Sequence, residues 1–93
     1  MSRITKEEVD PDVRAVLSTY TSNTIAPSKM KPEWVLTGPP LRFDSTDLGY
    51  IAMSLRGYVK RWGGDSKTIK APQIRKSGTT LQNVIDLVWD QVK

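Results

Sequence analysis

At 93 residues the chain has room for one domain and one core, and 38% hydrophobic with 26% charged residues is an ordinary globular balance. It contains no cysteine and no histidine, which excludes disulfides, thiolate zinc sites, cysteine nucleophiles and every mechanism that needs an imidazole. The net charge of +4 is uneven: residues 1–50 hold six basic against seven acidic residues, and residues 51–93 hold eight against three.

Thr5-Lys6-Glu7-Glu8 has the form of a capping box, and Asp10-Pro11 that of an N-cap followed by proline at the first helical position. The second signal is favoured, with a turn near 5–9 and a helix over about 11–20. Val13, Val16, Leu17 and Tyr20 form its core stripe, and Val9 would extend it. Residues 21–32 read as a loop, because Pro27 and Pro32 oppose helix continuation. Residues 32–36 form either a short helix or an extended piece, ended by Thr37-Gly38-Pro39-Pro40, with Trp34 as a lid on the core edge.

The clearest helix spans about 46–62. Leu48, Ile51, Ala52, Leu55, Val59 and Trp62 lie within about 100° on the helical wheel and face the core. Lys60 and Arg61 suit the negative end of the helix dipole, and Gly63-Gly64 supplies the left-handed stop. Residues 63–79 form a basic connector in which Pro72 opposes a regular helix. Ile69 and Ile74 pin it to the body, as an extended arm or as a small hairpin. Thr79 or Thr80 caps a last helix over about 80–92, with Leu81, Val84, Ile85, Val88 and Val92 as its core stripe. Leu87 and Trp89 widen its apolar arc, so this helix is central to the core or carries a protein-binding edge; the first is preferred, since a small fold has few helices to spare. The expected fold is all-α: a single domain of three principal helices.

Function is sought where these patterns leave residues over. Opposite the core stripe of the 46–62 helix stand Gly49, Tyr50, Met53, Arg56, Gly57, Lys60 and Arg61. Two glycines inside a helix, each worth about 1 kcal/mol against alanine, suggest close backbone approach. This face is read as a contact surface or as a solvated one with equal weight. The connector adds Lys67, Lys70, Arg75 and Lys76, so seven cations and one acid (Asp65) fall within residues 56–76. Clustered positive charge steers anionic partners. No zinc-finger ligands, aromatic RNA-binding signature or Gly-x-x-Gly loop is present, and the helix spacing is wrong for a helix-turn-helix. Catalysis fits worst, because most of the ten acids stand at helix starts, where they cap.

Pro40-Leu41-Arg42 with Leu48-Gly49-Tyr50-Ile51-Ala52 resembles the nucleocapsid-binding domain of rhabdovirus phosphoproteins, over under a tenth of the chain. The resemblance implies a small helical protein-docking module with a basic patch.

The expectation is therefore a non-enzymatic binding module without cofactor or metal. Arg56, Lys60, Arg61, Lys67, Lys70, Arg75 and Lys76 would meet nucleic acid through its phosphates. The alternative is a protein–protein or assembly module, viral or adaptor, in which Tyr50, Met53, Leu87 and Trp89 anchor an acidic partner. Two or more of those four residues fully exposed in a monomer would favour the protein contact, and buried aromatics under a continuous basic surface would favour nucleic acid. Self-association is left open. No membrane span is expected, the polar start is not expected to act as a secretory signal, and an intracellular setting is expected.

Overall fold

The computed structural model describes residues 4–21, 24–39, 41–63, 69–76 and 78–92. Helix α1 spans Lys6–Thr19. It starts five residues earlier than the proline signal implied and runs through Pro11. The correction has a tertiary cause. Proline removes one backbone donor, but helix on both sides of it buries Val9, Val13 and Leu17 along one stripe, with Ile4 buried just ahead of the N-cap. Thr5 is the N-cap without a side-chain cap; its hydroxyl donates instead to the Glu8 carboxylate at 3.3 Å.

The 21–32 loop holds a 3-10 turn at Pro27–Lys29 and is tied to α1 by side chains. Ser18 Oγ donates to the Ile25 carbonyl at 2.7 Å, and Arg14 donates to the Met30 carbonyl while paired with Asp10. Beyond it the chain is extended, not helical, at residue 35, where Val35 forms an isolated antiparallel bridge with Thr80. Leu36 N donates to Thr79 O at 2.9 Å, and Leu81 N and Gln82 N donate to Trp34 O and Pro32 O, each at 2.9 Å. The loop thus satisfies the orphan donors at the start of the last helix.

Helix α2 spans Ser45–Arg61 with Asp44 as N-cap. Asp47 N donates to Asp44 Oδ1 at 2.7 Å, and Asp44 N to Asp47 Oδ2 at 3.2 Å, a reciprocal box. Leu48, Ile51, Ala52, Leu55 and Val59 are buried, and Trp62 packs at the core edge. Gly63, at φ +81°, makes the left-handed stop.

The described part of the connector, residues 69–76, departs from both expectations, an arm or a hairpin; residues 64–68 and 77 lie outside the described residues. Ala71–Arg75 form a short helix, α3, with Pro72 in its first turn, where the missing donor has no intrahelical partner to lose. Helix α4 spans Leu81–Val92. Thr80 is its cap: Asn83 N donates to Thr80 Oγ1 at 3.2 Å and Thr80 N to Asn83 Oδ1 at 3.0 Å.

The fold is all-α. Helix α1 packs on α4, on α2 and on the 3-10 turn, and α2 packs on α3 and α4, around one buried apolar cluster. Val16, Trp34, Leu87 and Trp89 lie half-buried at the edge of that cluster. Tyr58 joins α2 to α1 by donating its hydroxyl to Asp12 Oδ2 at 2.7 Å. Burial first, then that bond and the negative charge of Asp12 and Glu8, holds the phenol protonated far above its ordinary range.

Candidate anion-binding surface

The basic residues lie where α3 is strapped along α2. Two hydrogen bonds make the strap. Arg56 Nε donates to the Ile69 carbonyl just before α3, and the Arg75 guanidinium at its end donates to the Ser45 carbonyl through Nε (3.2 Å) and Nη2 (2.8 Å). Ile69 thus sits beside the middle of α2 and Arg75 beside its first turn, so the two helices run antiparallel. Ile69 and Ile74 are fully buried under the strap, as their sequence role required.

Gly49 belongs to the same joint. A Cβ there would stand 3.0 Å from Arg75 Nη2, so the glycine leaves room for the guanidinium. This is the close approach that the sequence suggested. Gly57, eight residues on, is different: it is exposed, and a Cβ there would meet nothing within 4 Å among the described residues.

The seven cations singled out from the sequence therefore divide. Arg56 is half-buried and Arg75, although exposed, is committed to a backbone carbonyl; both are fasteners first. Lys60, Arg61, Lys70 and Lys76 are exposed, and none of them is in an ion pair among the described residues. Lys67 lies outside the described residues. Because α3 runs antiparallel along α2, Lys60 and Arg61 in the last turn of α2, Lys70 beside its middle and Lys76 next to Arg75 at its first turn are strung along the helix pair as a ridge rather than gathered in a pocket. Beside Lys76 an open groove of about 470 Å³ runs between α3 and α4, walled by Ile74, Val84 and the exposed part of Leu87 and edged by Gln73, Thr79 and Asn83.

The four apolar candidates divide as well. Tyr50 and Met53 are 54% and 61% exposed on the outer face of α2, the exposed large hydrophobics among the described residues. Leu87 and Trp89 are half-buried against the core. Tyr20 reaches the flank of the same helix, its hydroxyl within 2.9 Å of Ser54 Oγ.

Sequence reasoning missed α3 and with it the fastening role of the two arginines. One signal was present: Gln73 stands three residues after Lys70, and its Oε1 accepts from Lys70 N at 2.8 Å, with Pro72 between them.

Among the described residues no group of three or more His, Cys, Asp or Glu side chains is placed to hold a metal ion, and no helix is long and apolar enough to cross a membrane. Comparison with protein-family models, with curated proteins and with solved structures found no match to this chain. The short resemblance at residues 40–42 and 48–52 rests partly on Leu41, Leu48, Ile51 and Ala52, which are buried core residues of an amphipathic pattern.

Proposed function

We propose that this protein is a non-enzymatic binding module that offers Lys60, Arg61, Lys70 and Lys76, with Lys67 in the same basic stretch, to an anionic partner, nucleic acid first. One observation carries the reading. Docking α3 along α2 leaves exposed ammonium and guanidinium groups on the two helices, with no carboxylate paired to them among the described residues. An extended ridge of cations suits a polyanion, whose affinity comes from released counterions and carries little sequence information.

Fluorescence anisotropy with labelled single- and double-stranded DNA and RNA at two salt concentrations tests this. The expected result is binding that weakens with salt by a slope of about three to five neutralised phosphates. Lys60→Glu with Lys76→Glu should abolish it. These two residues are chosen because Arg56 and Arg75 also hold α3 in place. No binding at low salt to any of the four ligands would sink the reading.

A second reading has its own support. Tyr50 and Met53 are more than half exposed, short of the full exposure that would favour a protein contact outright, and their apolar surface supports that reading. It supports a protein contact on the outer face of α2, independently of the cationic ridge.

A further inference from the structure

We propose that the outer face of α2 is a self-complementary docking surface that pairs, antiparallel, with the same face of a second copy of this chain. The inference goes beyond anion binding and stands if that reading fails.

The face is one stripe. Thr46, Tyr50, Met53, Gly57, Lys60 and Arg61 recur at spacings of three and four, and all are exposed. Met53 is the middle residue of Ser45–Arg61. A two-fold axis beside it sets each residue opposite the one equally far along on the other side. Met53 then meets Met53. Tyr50 falls opposite position 56, one helical rise of about 1.5 Å from Gly57 of the second copy. No described residue gives Gly57 a reason to lack a Cβ, because nothing among the described residues lies within 4 Å of where one would be. It leaves bare backbone in an exposed helix interior at a cost of about 1 kcal/mol. Across the axis that gap receives the Tyr50 ring.

One charge pair sets the register of the two copies. Asp47 lies six residues before Met53 and Arg61 eight after it, on the same flank of the stripe. A two-fold axis perpendicular to both helices keeps each flank facing its own counterpart. Arg61 of each copy therefore meets Asp47 of the other, within about two helical rises. Asp47 uses one carboxylate oxygen for its cap, Oδ2, and keeps Oδ1 for a partner. The face thus carries opposite charges at its two ends and complements itself when reversed. The other flank, where α3 lies, also faces itself, so the Lys60, Lys70 and Lys76 sets of both copies come to one side of the pair. Their repulsion keeps the association weak, as does an interface of one helix per copy.

Sedimentation equilibrium from about 10 µM to about 1 mM gives the first test. The mass should rise from 10.5 kDa toward double, with half-association at a concentration on the order of 100 µM. Met53→Glu puts two carboxylates at the axis and should hold the protein at the monomer mass with its thermal midpoint unchanged, since Met53 is exposed. Gly57→Ala should weaken association about tenfold while raising monomer stability. The chain has no cysteine, so Met53→Cys gives a clean cross-link: under mild oxidation it should dimerise at least tenfold faster than Ser28→Cys, an exposed position off this face. A monomer mass at 1 mM, equal cross-linking rates, or association that Met53→Glu leaves intact would each overturn the proposal, the first assigning the face to a different, acidic protein.

Discussion

The same substitution at two positions of α2 should have different consequences. Gly49 and Gly57 lie in the interior of one helix, and alanine at either adds about 1 kcal/mol of helix propensity. At Gly57 no described residue opposes the gain, because the new methyl group meets nothing within 4 Å among the described residues. Gly57→Ala should therefore stabilise the dilute monomer by about 0.5–1 kcal/mol, a rise in thermal midpoint of about 3–8 °C for a chain of this size. At Gly49 the methyl group stands 3.0 Å from Arg75 Nη2. The guanidinium must shift by a few tenths of an ångström, and its bond to Ser45 O through the same nitrogen, 2.8 Å long, weakens. A hydrogen bond from a charged group contributes roughly 1.5–3 kcal/mol at most, and less at this exposed site. Its partial loss offsets the propensity gain, so Gly49→Ala should come out near zero. Urea unfolding followed by circular dichroism, at concentrations below self-association, reads both. Equal stabilisation by the two variants would refute the reasoning, since it would mean that Arg75 does not rest on Gly49. An Arg75→Ala background supplies the control, in which Gly49→Ala should recover its gain.

Two further outcomes follow from the core. Tyr58 is held protonated above its ordinary range, so the native state binds a proton that the unfolded chain releases near pH 10. The stability this proton contributes is fully present below that pH and is lost as pH rises toward the elevated native value; urea midpoints between pH 8 and 11 should fall more steeply for the wild type than for Tyr58→Phe. Ile69→Ala opens a cavity at a fully buried position and should cost about 2–4 kcal/mol by urea unfolding, a large fraction of the stability of a small domain. If it costs under 1 kcal/mol, α3 is not packed as described.

The three long helices, their core stripes and the Gly63 stop were legible in the sequence because each is a local matter. Leu48, Ile51, Leu55 and Val59 declare α2 by their spacing alone, and the polypeptide needs no distant partner to make Asp44 a cap or Gly63 a left-handed turn. The basic bias of residues 56–76 and the absence of histidine and cysteine chemistry are likewise fixed by composition. Three things were decided only in the folded chain. Pro11 was read as a helix start because proline is a strong local signal, and burial of Ile4 and Val9 overrode it. Ala71–Arg75 of the connector became a helix because Ile69 and Ile74 found the core and Pro72 fell in the first turn. Above all, charge counting treated seven cations as equivalent. Arg56 finds its acceptor 13 residues away and Arg75 finds its acceptor 30 residues away, and these contacts separate the cations that fasten α3 from those that face solvent. Periodicity and capping act within a few residues and can be read in one dimension. A side chain's hydrogen-bond partner across a fold cannot, because it depends on which distant carbonyl the packing brings within reach.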